Sequence, residues 1–265
     1  MNDPRAAAKL LVRFWTASLT AEMEYGVNAV VELLSVLGNL AGSLFVLSLF
    51  FRHGHDLGGW SWDQALVVLG IYTLLDGLTS TLLQPNLGAL VTHVQKGTLD
   101  FVLLKPVDSQ FWLSLRSFSP WGLPGVAVGL VLMIVGLVRA GTTPTPLGLA
   151  LGLLVLVAAS LLLYSLWFVL AATSIWFVKI WNATEVLRSL LAAGQYPVSA
   201  YPPALRLVFT TLLPVAFLTT VPAEALLGLA NGRSVLAGIA LAGLSLLGSR
   251  ALWRLALRHY TSASS

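Results

Sequence analysis

The sequence predicts an all-α integral membrane protein with about six spans. Of its 265 residues, 57% are hydrophobic and only 10% are charged, whereas soluble domains carry roughly 25% charged residues. A compact soluble body keeps much of its surface in water and could not hide this much apolar surface. Several apolar runs also reach the roughly 20 residues that a spanning helix needs. Lipid is therefore the expected solvent of the chain.

The N-terminal segment, residues 5–22, predicts a helix that lies in the membrane interface. Lys9 and Arg13 fall on one face of this helix, and Phe14 and Trp15 fall on the other. Basic amphipathic helices of this kind bind at the level of the lipid headgroups. The two charges interrupt any apolar run, so the segment is not expected to be a secretory signal peptide.

The remaining apolar runs define five clear spans and one ambiguous region. The clear runs are 27–51 (span 1), 62–83 (span 2), 120–138 (span 3), 147–178 (span 4) and 235–257 (span 6). Two interpretations stay open for the region between spans 4 and 6. In the first, 182–198 is span 5 and 204–231 forms short re-entrant helices. In the second, which hydropathy slightly favours, 182–204 lies at the surface and 205–221 spans.

Lysine and arginine are concentrated on one side of this predicted bundle. Eleven of them fall there: Arg5, Lys9, Arg13, Lys96, Lys105, Arg116, Lys179, Arg188, Arg250, Arg254 and Arg258. Four fall on the other: Arg52, Arg139, Arg206 and Arg233. Because cytoplasmic loops carry the excess of basic residues, both termini are predicted to be cytoplasmic.

Two carboxylates, Glu32 and Asp76, lie within predicted spans, where ionised groups are costly and usually face a bundle interior or a water-filled cavity. One interpretation is that both line an inward-facing cavity and meet a cationic or polar substrate. The other is that Glu32 reaches the interface and Asp76 bonds Thr73, Thr79 or Ser80.

Two further spacings predict contacts of helices. Glu185 and Arg188 are three residues apart and can pair on one helix face. Two spans also contain glycines at the small-xxx-small spacing that lets helices approach closely. These are Gly38 with Gly42 and Gly148 with Gly152.

The sequence offers no catalytic, cofactor or metal site. It has no cysteine, and its four histidines are scattered; His53, His55 and Asp56 come together only in a loop expected to be wet. No P-loop of the form G-x-x-x-x-G-K-[ST] occurs. The spans also lack the paired aspartates or His/Glu clusters of an intramembrane enzyme. We therefore expect no enzyme activity, metal, cofactor or nucleic acid binding in this chain.

The long connection at 84–118 predicts a short amphipathic helix at the cytoplasmic surface. Gly97 can end a helix in the left-handed conformation. Thr98 can then cap the next turn, Asp100 lies at the positive end of its dipole, and Pro106 stops it. Its predicted apolar face consists of Phe101, Leu103 and Leu104. From physics alone, this helix either serves a function or only anchors the loop to the interface.

Residues 95–109 read Q-K-G-T-L-D-F-V-L-L-K-P-V-D-S and resemble the cytoplasmic loop of permeases from type-2 ATP-binding-cassette (ABC) exporters. In that family this loop contains the coupling helix that docks into a separate ATPase. Asp100 stands where many members have glutamate, and Lys105 where many have a small or hydroxylated residue. The residues that the resemblance implies for coupling are Gly97, Thr98, Leu99, Asp100, Leu103, Leu104, Lys105 and Pro106.

The resemblance covers most of the chain. Residues 196–206, 213–214 and 224–226 resemble the family region between spans 5 and 6, which forms re-entrant outer helices and so favours the first topology. Residues 22–25 and 258–265 resemble a branch of uncharacterised ABC permease components, in which two different permeases often occur together.

The resemblance implies a permease subunit of an ABC exporter in the bacterial plasma (inner) membrane. Mg-ATP would bind to a partner ATPase, present in two copies, and a second permease, identical or a related different chain, would complete the unit. The alternatives are a stand-alone secondary carrier, which would want more intramembrane carboxylates and visible repeats, and a membrane scaffold protein. The substrate cannot be read from a fold.

Overall fold

The computed structural model describes residues 4–22, 26–52, 57–141, 145–177 and 183–260. These ranges are helical and contain no β-strand beyond an isolated bridge between Leu57 and Trp60, so the predicted all-α class is confirmed. The helices are α1 (Pro4–Glu22), α2 (Gly26–Arg52), α3 (Trp62–Leu78), α4 (Gln84–Gln95), α5 (Leu99–Leu103), α6 (Ser109–Leu115), α7 (Leu123–Arg139), α8 (Pro146–Ala172), α9 (Ala183–Ala193), α10 (Pro203–Leu207), α11 (Val215–Leu218), α12 (Thr220–Leu226) and α13 (Gly232–His259).

Five helical stretches in the described ranges are long and apolar enough to cross a membrane. They are Val30–Arg52, Trp62–Gln95, Pro120–Arg139, Pro146–Ile175 and Gly232–His259. A sixth candidate is the pair Pro203–Leu212 and Val215–Leu226, whose two halves meet at a bend of 68°. The protein therefore has five or six apolar spans by length and composition.

The helix that begins at Trp62 runs on to Gln95, whereas the sequence predicted that span 2 ends at residue 83. A π-helical turn, Thr79–Leu83, joins α3 to α4. This wider turn ends two residues before Pro85, which cannot donate a backbone hydrogen bond and would crowd a regular α-helix. The π turn thus lets the helix pass a residue that reads in the sequence as a helix breaker.

Helices α3 and α7 pack against each other through glycines. A Cβ atom at Gly129 would lie 2.4 Å from the backbone nitrogen of Leu74, and one at Gly77 would lie 2.5 Å from that of Val126. Such distances are far below van der Waals contact, so only glycine allows this approach. The packing is antiparallel, since Asp63 near the start of α3 pairs with Arg139 at the end of α7 (3.1 Å).

The glycines that the sequence predicted to lie between helices, unlike those of α3 and α7, mostly do not contact another helix. A Cβ atom at Gly38 or Gly42 would meet nothing within 4 Å, and one at Gly148 would meet only Thr145. Of the four, Gly152 alone approaches another helix closely, because a Cβ atom there would lie 2.4 Å from a methyl carbon of Leu226 in α12.

The end of the bundle that carries α5 is here called the α5 end. At the α5 end, the indole of Trp15 in α1 donates to the carbonyl of Leu115 (3.0 Å), and Arg250 of α13 binds Asp108 beside α6. The opposite end, with the loop 57–60, is here called the Trp60 end. Helix α1 and the end of α13 therefore lie on the same side of the bundle.

After α9 the chain reaches the Trp60 end, bends between α10 and α11, and is back at the same end in α12. Helix α9 has 11 residues, about 17 Å of helix, which is less than a span needs. Ser199 already packs against Gly58 at the Trp60 end, because a Cβ at Gly58 would overlap its backbone. Leu226, at the far end of the bent pair, packs on Gly152 near the start of α8. Both ends of the bent pair therefore lie at the Trp60 end of the bundle.

Candidate functional site

A cavity of about 240 Å³, here called the deep chamber, lies between α2, α3, α7 and α9. From α2 it is lined by polar residues Glu32, Ser35, Asn39 and Ser43, a spacing of three or four that places them on one helix face. From α3 and the π turn it is lined by Tyr72, Thr73, Asp76, Gly77 and Ser80. The structure thus brings together Glu32 and Asp76, the carboxylates that sequence analysis identified separately.

Asp76 does not bond to any of the three hydroxyls proposed for it. Thr73 and Thr79 each donate to a helix carbonyl four residues earlier, at 2.8 Å. Ser80 accepts a hydrogen bond from Arg188 at 3.1 Å. In the described part of the chain, no hydrogen bond or ion pair reaches the Asp76 carboxylate, which is half-buried against the chamber.

Arg188 points into the cavity from α9, a role that sequence analysis missed. Its Nη2 donates to Ser80 Oγ (3.1 Å) and to Gln84 Oε1 (2.6 Å), and its buried Nε has no partner among the described residues. The predicted pair with Glu185 does not form, because Glu185 stays exposed while the acceptors on the neighbouring helix hold the guanidinium.

A second cavity of about 380 Å³, here called the vestibule, adjoins the deep chamber toward the α5 end. Its lining includes Gln84, Pro85, Ser119 and Trp121, which lie in α4 or just before α7. Both cavities share the side chains of Glu32, Ser80 and Arg188, here called the neck. The two cavities, together here called the polar route, meet at this hydrogen-bonded arginine.

The segment after α4 begins with the predicted glycine cap. Gly97 has φ +66°. Its N–H donates to the Val94 carbonyl (3.2 Å) and that of Thr98 to the His93 carbonyl (2.9 Å), which is the Schellman pattern of a helix end. The predicted cap by the Thr98 side chain is wrong, because this hydroxyl instead bonds His93 Nδ1 at 2.8 Å.

Helix α5 turns Leu99 and Val102 inward and leaves most of its predicted apolar face exposed. Leu99 and Val102 are buried, whereas the side chains of Phe101 and Leu104 are 68% and 80% exposed. Leu103 is half-buried. Because the helix begins at Leu99, Val102 lies one turn later and therefore on the same inward face as Leu99. Phe101 and Leu104, together with the exposed Lys105 and Pro106, make an outward surface here called the α5 patch.

Hydrogen bonds hold the neighbouring helix α6 to the spans. Asp108 caps α6 by accepting from the Phe111 N–H (2.9 Å), and its carboxylate pairs with Arg250 of α13 (2.9 Å). The indole of Trp253 in α13 donates to Ser109 Oγ at 3.0 Å. On the other side, α8 contributes Tyr164, whose hydroxyl bonds Gln110 and Ser114.

Two cations flank the indole of Trp112 in α6. Lys105 Nζ lies 4.0 Å from the ring centroid and Arg116 Cζ lies 4.5 Å from it, within the range of cation–π attraction. Burial lowers the pKa of Lys105, and the nearby Arg116 lowers it further. The contact links Lys105, two residues after the end of α5, to α6.

The Asp108 carboxyl should make stability depend on pH in acid. Its hydrogen bond from Arg250 is the main cause that lowers the pKa of Asp108 in the folded protein. The stabilisation is therefore complete above the unfolded value of about 3.9 and is lost as the pH falls through the lowered pKa. We expect Asp108→Asn to lower the Tm at pH 7, and the difference from wild type to shrink as the pH falls below 4. A difference that persists unchanged in acid would contradict the ion pair.

Together, the apolar spans, the polar route between them and the external patch tied to them define a multi-pass membrane transport component. A family model described as ABC-2 family transporter protein matches residues 37–264, and the chain belongs to this family. The family confirms the predicted resemblance to a type-2 ABC permease. A comparison with curated proteins gave no match, and neither did one with solved structures.

Proposed function

We propose that the chain is the permease subunit of an ABC exporter and that its α5 patch docks on a separate ATPase that binds Mg-ATP. The observation that carries this proposal is the outward position of Phe101 and Leu104 on an element held to the spans. Apolar side chains in such a place indicate a protein contact. The residues from Gly97 to Pro106 then form the coupling helix and its cap.

A continuous set of contacts leads from the α5 patch to the cavity. Helix α5 follows α4 through the cap at Gly97, and α4 continues through the π turn into α3. Ser80 and Gln84 on this helix are the acceptors that hold Arg188 in the neck. A displacement of α5 by a docked ATPase would therefore act on the helix that lines the polar route and holds Arg188.

The distribution of charge supports a cytoplasmic α5 end. The basic residues with described side chains at this end are Arg13, Lys96, Lys105, Arg116, Arg250, Arg254 and Arg258. Those at the Trp60 end are Arg52, Arg139, Arg206 and Arg233. The twelfth, Arg188, lies in the neck and is counted at neither end. Seven against four follows the positive-inside rule. The proposal therefore places α5, α1 and the end of α13 in the cytoplasm, at the bacterial inner membrane.

Helix α2 supports a second permease in the working unit. Its polar face lines the deep chamber, whereas its other face exposes large apolar side chains such as Val30, Leu34 and Phe45. The proposed unit contains two permeases and two ATPases, and the second permease is either a copy of this chain or a related one. Helix α2 would then separate the polar route from lipid or from the partner.

Purification of the chain from its native membranes in a gentle detergent, followed by mass spectrometry, tests the proposal. A stoichiometric partner with a P-loop is the expected result, and a second permease beside it would decide for a heterodimer. A chain that comes out alone, under conditions that preserve other ABC complexes, would overturn the ATPase assignment. A stand-alone carrier would then be the better description.

A further inference from the structure

The deep chamber indicates the chemical class of ligand that the protein binds. We propose that it binds the ammonium end of an organic cation, with the carboxylate of Asp76 as counter-ion and the neck as the way in from the vestibule. The inference rests on the proposed transport function and names the ligand class for the same cavity.

The first support is the state of the charges in the chamber. The Asp76 carboxylate has no hydrogen bond or ion pair within the described ranges, and such a group at membrane depth calls for a partner. The guanidinium of Arg188 lines the same chamber. That guanidinium is held by Ser80 and Gln84, so the carboxylate remains available to a positive ligand.

The second support is the direction of the hydroxyl hydrogens. Ser35 donates its hydrogen to the carbonyl of Val31 (2.9 Å), and Thr73 donates to that of Leu69 (2.8 Å). A carbonyl can only accept and a hydroxyl has one hydrogen, so these two chamber-lining oxygens have only lone pairs left. A protonated amine offers three donors and no acceptor, so it can donate to both of these oxygens.

The third support comes from the balance of charge and from the aromatic rings. Among the described residues that line the combined cavity, two are carboxylates, Glu32 and Asp76, and one is a guanidinium, Arg188. Tyr72 lines the deep chamber and Trp121 lines the vestibule, and aromatic faces attract cations. An anionic ligand would have to approach both carboxylates. An elongated amine could place its charge in the deep chamber and its apolar remainder in the vestibule.

Binding to the purified chain in phosphatidylcholine nanodiscs, without any ATPase, tests this inference. Two probes share one fluorophore and differ in the charge at the end of their chain: dansylcadaverine ends in an ammonium and dansyl-6-aminohexanoate ends in a carboxylate. Fluorescence anisotropy is measured with empty nanodiscs as the blank. We expect saturable binding of dansylcadaverine and none of the anionic probe at the same concentrations.

Variants locate the binding in the chamber. Asp76→Asn should weaken dansylcadaverine binding by about tenfold or more, because a charge pair in a medium of low dielectric constant is lost. Asp76→Glu should retain most of the affinity. The matched control is Glu185→Gln, which removes a carboxylate from an exposed position on α9 that lines neither cavity, and it should leave binding unchanged.

Equal binding of the two probes to wild type would overturn the inference, even if Asp76→Asn did not fold. So would unchanged affinity in Asp76→Asn that elutes as wild type on gel filtration. The assay contains no ATPase, so its outcome is independent of the purification experiment. A chain that captures an ATPase but binds no cation would lose only the ligand class assigned here.

Discussion

A chain in which Phe101 and Leu104 are both serine is expected to insert normally, keep its fold and lose its ATPase. The two side chains are 68% and 80% exposed, so the free permease gives up little packing when they are removed. Burial of a large apolar side chain in an interface contributes about 1.5–3 kcal/mol. Loss of both should weaken docking by about a hundredfold or more, measured as ATPase recovered per permease after purification.

The matched control for this double variant is Leu229→Ser. Leu229 is 56% exposed and precedes α13 at the Trp60 end, away from the proposed ATPase. This variant should recover the ATPase as wild type does. If Phe101→Ser/Leu104→Ser also kept its ATPase at wild-type stoichiometry, the α5 patch would not be the docking surface.

Gly129→Ala is expected to destabilise the protein, although it adds a single methyl group. The new Cβ would lie 2.4 Å from the backbone nitrogen of Leu74 and 2.7 Å from the carbonyl oxygen of Gly70. Backbone atoms of a packed helix cannot turn aside, so α7 must move away from α3. Overpacking of this kind costs about 1–3 kcal/mol, which should appear as a lower Tm in detergent and a lower yield.

Gly42→Ala makes the same chemical change where a Cβ atom would meet nothing within 4 Å. It should leave the Tm unchanged or raise it slightly, since alanine is the better helix former. If Gly42→Ala lowered the Tm as much as Gly129→Ala does, the close approach of α3 and α7 would not be the reason that position 129 requires glycine.

The fold class could be predicted because hydropathy depends only on local composition. The apolar runs that begin near residues 27, 62, 120, 147 and 235 all lie in long helices. Their ends differ from the predicted ones by a few residues, except at span 2, whose helix runs on to Gln95. The continuation of this helix through 84–95 without a break was not predictable, because the π turn before Pro85 has no local signature. The glycine cap at Gly97 was predictable, since its left-handed backbone is a property of one residue.

Contacts between helices were harder to predict because they depend on partners far away in the chain. Gly38 and Gly42 share a local spacing with Gly125 and Gly129, yet only the second pair meets another helix. Arg188 was assigned to a neighbour on its own helix, because its acceptors lie more than 100 residues away. A sequence signal did exist for the α2 wall of the deep chamber: its polar residues recur every three or four positions and could have been grouped with Glu32.

The continuous helix Trp62–Gln95 makes the exposure of α5 a function of membrane thickness. Its 34 residues extend about 51 Å, against a hydrocarbon layer of about 30 Å. Even at a tilt of about 40°, the largest commonly observed, it would still cover about 39 Å along the bilayer normal. A part of it must therefore stand outside the hydrocarbon, and hydrophobic mismatch sets how far. In a thicker bilayer the α5 patch would sit nearer the headgroups, so lipid composition acts on the same surface that the proposed ATPase must reach.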